Sequence, residues 1–335
     1  MSYRRRLELL GEHLPAALQF LDATHGGNSD RIFADAVVRG SIDDLLRAYT
    51  VYEEREPAEE QIAFFEHYSA HPAELERDAA DPANSFRQKL VDRPVRYWSD
   101  ASARTVRDRA FGAMLRQNLP GPRLYVAEEE TEIAISQGLA LLHELLPSAA
   151  PSAVSHLDFL VVDEFYDEVG SATIAPLLGA IFVARTTLRS PWTLAEAILH
   201  ECMHLKFVEI EHTHSLLPRG YSEQTSPQLH PPWHPETTTW PMNRALTAAH
   251  VYVALSVYAA AAEAAAPEFE TRFGPWERSQ LLTDSNAAAG RAHSLIDLAA
   301  KHPESLGKAG KVFLEWMRSV LRNLTAGLSV MPKAV

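Results

Sequence analysis

Leu178-Gly-Ala-Ile-Phe-Val-Ala-Arg185, followed by Ser190-Pro-Trp-Thr-Leu-Ala-Glu-Ala-Ile-Leu-His-Glu-Cys-Met-His-Leu205, decides how this chain is read. The first stretch is rich in β-branched and aromatic residues and reads as a strand, over 172–185. The second reads as a helix over about 191–214, with Ser190-Pro191 as its start signal and Thr193 and Glu196 as a T-x-x-E capping box. On a helical wheel Leu194, Ala197, Ile198, Leu205 and Val208 make an apolar stripe. His200, His204, Phe207 and Glu211 make the neighbouring stripe, so the helix lines a cleft.

His200-Glu201-Cys202-Met203-His204 places two imidazoles one turn apart, a spacing at which both can bind one divalent ion. Glu201 points roughly 100° round from His200. It reaches a water or substrate held at the ion rather than the ion itself.

Outward from this core the pattern is mainly α (α+β): a helical N-terminal part, a small β-sheet next to the motif helix, and a helical C-terminal part. Helical periodicity covers 3–22, 29–49, 57–70 and 101–118, with a less regular, Asp- and Pro-rich connector at 72–98. Strands are expected at 124–127 and 156–163, with a helix at about 130–146 between them. Further helices fall at about 243–266, 276–301 and 303–325. These divide into a helical region at 1–120 and a metal-binding region at 121–335. Between 217 and 241 stand six prolines, which forbid a continuous helix or central strand. Such a loop after a metal helix is either a substrate-facing wall or a plain linker.

The 335 residues are 46% hydrophobic and 22% charged, which is ordinary for a globular protein with a sizeable core. A net charge of −13 argues against nucleic acid or anionic membranes as partners. Residues 1–90 carry 17 acids against 10 Lys and Arg, which reads first as a solvated acidic face and second as an attraction for a basic ligand or peptide, whereas residues 271–335 carry 5 against 9. Cys202 is the single cysteine, so no internal disulfide exists and a reducing compartment is expected. No apolar signal segment follows the basic start, and no run is read as approaching the ~20 apolar residues of a membrane span. The expected location is the cytoplasm.

Two histidines need a third ligand. The glycine and histidine that metzincins carry after the motif are replaced by Phe207 and Ile210. Glu223, Glu236 and Glu263 are open to a gluzincin-like site but lie in no recognisable motif, and Glu211, seven residues after His204, lies about 10 Å further along the axis. His250, on an apolar helical face with Leu246, Val253 and Val257, is the better candidate; His230 and His234 in the proline loop, or His212 and His214, are the others.

Residues 155–260 resemble the HExxH-motif proteins that act as iron(II)- and 2-oxoglutarate-dependent peptide β-hydroxylases in the biosynthesis of peptide natural products. The resemblance runs through Leu178–Ala184, Leu194–Leu205, Pro232-Trp233 and Arg244–Val253. Leu9–Pro15 and Asp30–Val38 also look like that family's helical leader region. It implies His200, His204 and His250 as iron ligands, with room for 2-oxoglutarate and dioxygen. The arginine and aspartate that the family tends to carry after Pro-Trp are His234-Pro235-Glu236-Thr237 here. The 2-oxoglutarate carboxylate then passes to Arg244, or alternatively to Arg185.

The expected activity is oxidation of an unactivated C–H bond in a peptide or amino-acid substrate, with Glu201 orienting a ligand or a substrate amine. The competing reading is a zinc peptidase in which Glu201 deprotonates a metal-bound water. A third is a non-catalytic helical binding protein without stoichiometric metal.

Overall fold

Gly11 and Pro15 split the first helical run in two: α1 spans Tyr3–Leu10 and α2 spans Pro15–Thr24. The structure, a computed structural model, describes residues 3–24, 35–50, 57–79, 85–86, 95–98, 104–119, 129–163, 170–174, 177–276 and 284–330. The expected strand 124–127 and the stretch 30–34 of the resemblance lie outside these. The fold is mainly helical with one small sheet, as the periodicity implied. It forms two compact units, Met1–Leu139 with Val154–Arg189, and Ala140–Ala153 with Ser190–Val335. The division read from sequence placed the boundary at residue 120; instead the units are interleaved along the chain.

In the first unit, α3 (Ala36–Thr50), α4 (Glu59–Ala70), α5 (Pro72–Ala79) and α6 (Val106–Asn118) follow α2. Thr105 caps α6 in a capping box with Asp108, each accepting the other's backbone N–H. The sheet has order β1-β2-β3-β5-β4, from Ser85–Phe86, Val95–Tyr97, Phe159–Asp163, Ala180–Ala184 and Ser171–Ala172 for β4. Strands β2, β3 and β5 run parallel, and β1 and β4 pair antiparallel at the edges. Two expectations change here. The single strand at 172–185 is two antiparallel strands, with Gly179 at φ 84° just before β5 supplying a backbone angle that side-chain-bearing residues avoid. The connector at 72–98 contributes a helix and two short strands.

Aromatic packing holds this unit together. Phe111 stacks on Phe159 with ring centroids 4.1 Å apart, and Trp98 meets both edge-on. Beneath them Arg107, 2% exposed, donates from Nε to Asp35 Oδ2 at 2.9 Å. Asp35 Oδ1 accepts from the backbone N–H of Val37 and Val38, so one carboxylate both starts α3 and neutralises a buried cation. The Arg107 pairing holds Asp35 below the usual carboxylate range against a burial that opposes it.

Helix α7 (Glu129–Leu145) crosses from the first unit to the second, and the short α8 (Ala150–Val154) follows. The second unit holds the motif helix α9 (Pro191–Thr213), α10 (Met242–Phe273), α11 (Ser285–Ala300) and α12 (Lys308–Val330). Its core includes Phe207, Leu246, Val253, Leu295, Leu314 and Met317. Gly307 and Gly310 lie so close to the carbonyls of Ser215 and Leu216 that a β-carbon at either would collide with backbone. Gly307 N–H donates to Leu216 O at 2.8 Å, fixing the start of α12 to the end of α9. Helix α10 runs past Pro267, and by length and composition it could cross a membrane, contrary to the reading that no run approaches that length. Its most apolar window is 67% buried inside the protein, the burial of a core helix.

Candidate metal centre

The motif helix begins one turn earlier than a capping box at Thr193 and Glu196 would place it. Pro191 occupies the first turn, where its missing N–H costs nothing, and Ser190 is the N-cap without a side-chain cap bond. Thr193 is already helical and donates its hydroxyl to Ser190 O at 3.0 Å, so the expected box does not form. What anchors this end is tertiary. Trp192 Nε1 donates to Gly274 O at 3.0 Å, and Tyr258 donates its hydroxyl to Trp192 O at 2.7 Å. The middle and the C-terminal cap of α10 thereby hold the register of α9.

On that helix the two Nε2 atoms of His200 and His204 stand 3.2 Å apart, with ring centroids at 5.0 Å. Metal–nitrogen bonds of ~2.0–2.1 Å put two imidazole nitrogens about 3.4 Å apart on a tetrahedral ion and about 2.9 Å apart as octahedral neighbours. The observed separation falls between the two, so these side chains fit one divalent ion as they stand. Burial pushes both histidines down to about 4, and Glu201 pulls His204 the other way. Both are therefore neutral at pH 7, the form that ligates metal.

Glu201 is 3% exposed, and its Oε1 lies 3.9 Å from His200 Nε2. That is too long for neighbouring ligands on one ion and suits a carboxylate that reaches a metal-bound water. Cys202 is fully buried, and burial with the nearby Glu201 charge pushes its thiol up, away from the thiolate needed for ligation.

The remaining sequence candidates are placed elsewhere. Among the described residues no group of three His, Cys, Asp or Glu side chains is arranged to hold a metal. His250 is 1% exposed and sits in an aromatic wall, with ring centroids 5.3 Å from Phe313, 6.0 Å from Trp316 and 6.1 Å from Phe207. Its ring lies near the Met203 backbone, and its Nδ1 is buried without a partner. Burial, Lys206 and His204 together push it down to about 3. The structure thus brings His200, His204 and Glu201 together and does not join His250 to them. Arg244 is exposed, with its guanidinium 4.8 Å over the Trp240 ring. His230 Nδ1 contacts Thr238 O at 3.0 Å inside the proline loop, and His234 packs on Trp240. The residues present fit a divalent ion through two histidines, whereas Arg244, expected at the 2-oxoglutarate carboxylate, packs exposed over Trp240.

The proline loop is built, not slack. Leu229 and Trp240 exchange backbone hydrogen bonds at 2.8 and 2.7 Å, and Met242 N–H donates to Ser226 Oγ at the start of α10. Trp233 stands edge-on to Trp240 and Tyr252, with the Arg291 guanidinium 5.5 Å over its ring.

Sequence reasoning missed a cavity of about 950 Å³ against the Leu199, Met203 and Lys206 face of α9, walled also by His250, Val257, Phe313 and Trp316 among others. Its signal was available in the apolar spacing of Ala309, Val312, Phe313, Trp316 and Val320 along α12, two of which stay exposed. Neither a protein-family model nor a curated protein matches this chain.

Proposed function

We propose that this chain is a divalent-metal enzyme, an iron(II)- and 2-oxoglutarate-dependent oxygenase that hydroxylates an unactivated C–H bond of a peptide or amino acid. The observation that carries the metal is the 3.2 Å convergence of the two motif Nε2 atoms, both neutral at working pH. Iron is favoured over zinc by the likeness of Leu194–Leu205 and its surroundings to the hydroxylase family, and by the missing metzincin completion. A metal with few protein ligands also keeps positions open for a chelating co-substrate, as non-haem iron oxygenases require.

In this reading His200 and His204 hold the ion through Nε2. Iron with its co-substrate supplies the oxidant for the C–H bond. Glu201 accepts a hydrogen bond from a metal-bound water or a substrate amine, and its burial fixes where that donor must sit. The expected substrate is basic, to match the acidic 1–90 region, and the expected location is cytoplasmic.

One observation favours a second reading, a zinc peptidase. The Glu201 carboxylate, 3.9 Å from His200 Nε2, is also where a general base for a zinc-bound water belongs. Protein prepared without oxygen and reconstituted with iron(II) or zinc separates the two. Succinate formed from 2-oxoglutarate only with iron supports the oxygenase, and peptide cleavage only with zinc refutes it. A protein that retains neither metal is the non-catalytic binder.

A further inference from the structure

The cavity beside α9 belongs wholly to the second unit, and its wall omits His200 and His204. About 950 Å³ is near the upper end for a small-molecule site and far more than packing defects leave. Its lining is almost entirely aliphatic and aromatic. Val312 and Trp316 remain 67% and 47% exposed at its rim, an apolar surface that soluble proteins rarely leave open without a use.

Three serines, His214 and His250 are the uncharged polar groups of the lining, and its charged side chains share one sign. Lys206 and Lys308 line the cavity, and no Asp or Glu does. Lys206 is half-buried and donates to Ser152 Oγ at 2.6 Å; among the described residues no carboxylate pairs with it or with Lys308. Residues 271–335, which include α12, carry nine Lys and Arg against five acids in a chain that is otherwise strongly acidic. A cation set into an apolar wall without a counter-charge is costly alone and favourable once an anion arrives. An apolar ligand without a head group would leave that cation uncompensated, and a cationic amphiphile would be repelled.

We propose that this cavity binds a single-chain anionic amphiphile, an acyl carboxylate, with its chain along Met203, Val257 and Phe313 and its carboxylate at Lys206. Lys308 adds positive potential at the mouth. The site is separate from the metal centre and does not depend on which metal His200 and His204 hold.

Calorimetry on the full chain with dodecanoate, tetradecanoate and hexadecanoate tests this. One molecule should bind per chain, tightening about fourfold per added methylene until the cavity is filled. Dodecanoate should bind about tenfold more tightly than dodecyltrimethylammonium. Lys206→Met should cut that preference several-fold, leaving only what Lys308 supplies, and Ala254→Trp should abolish binding by filling the space. The exposed Lys308→Glu, which leaves packing untouched, should weaken dodecanoate several-fold and so tests the charge even if a buried variant misfolds. Equal affinity for the two head groups, or dodecanoate binding undiminished in a folded Ala254→Trp, overturns the proposal. So does Val312→Asp converting a dimer to a monomer, since a second copy would then cover this face.

Discussion

Replacing His250 with phenylalanine distinguishes a wall residue from a ligand. The ring is 1% exposed, and three aromatic neighbours surround it, so phenylalanine fills nearly the same space. The variant loses the polar approach of the ring to the Met203 backbone, at most about 1 kcal/mol, and removes a buried Nδ1 without a partner, a gain of about 1–3 kcal/mol. At pH 8 the two proteins should therefore agree to within about 2 kcal/mol. Acid separates them. The folded His250 is pushed down to about 3, against 6.5 in the unfolded chain. Between those values the unfolded state binds a proton that the folded state does not. Stability is then complete above 6.5 and falls as the pH drops through it, by about 2 kcal/mol at pH 5 for this residue alone. The variant escapes that loss, so its standing relative to the parent should improve by about 2 kcal/mol from pH 8 to pH 5. Urea unfolding followed by tryptophan fluorescence reads the stability, and elemental analysis reads the metal. Full metal content with this pH response is the expected result. A folded variant that has lost its metal, or one with no change in acid sensitivity, would refute the placement of His250 in the wall.

Three further outcomes follow from the geometry. His200→Ala or His204→Ala should each lower metal affinity by at least about 100-fold in dialysis against a chelator, with unchanged circular dichroism. Glu201→Gln should keep the metal; activity lowered less than about tenfold fits a positioning carboxylate, whereas a loss of about 10²–10⁴-fold in kcat marks a general base. In the first unit, Arg107→Met strands the buried Asp35 carboxylate and should cost about 3–5 kcal/mol in chemical denaturation, while pairing it with Asp35→Leu should recover part of that loss.

Helices were legible wherever local punctuation coincided with apolar periodicity. Glu59–Ala70, Val106–Asn118 and Pro191–Thr213 fall within a few residues of their expected bounds. The sheet was less so. Strands β1 and β2 are two and three residues long and exist only through pairing, β1 to β2 and β2 to β3, information that no local window holds. Helix α10 outran its expected end because Pro267, on an exposed face, gives up a single hydrogen bond, and Ala266 and Phe273 on either side of it are buried. The histidine pair could be read from i, i+4 spacing, since both residues share one rigid element. His250 could not: an apolar helical face says that a histidine is buried, not whether it turns toward an ion or toward Phe313 and Trp316.

The interleaving of the two units has a consequence for how the chain matures. Ala140–Ala153 is synthesised before the remainder of its own unit, which begins only at Ser190. Leu146, Ala149 and Ala153, which wall the cavity, therefore leave the ribosome without their partners and wait for more than half of the remaining chain. Glu144, which later takes both guanidinium nitrogens of Arg272 at 2.6 and 2.7 Å, is in the same position. A fragment cut at Ser190 would lack one side of its own cavity, and supplying 140–153 as a separate peptide is the direct way to restore it.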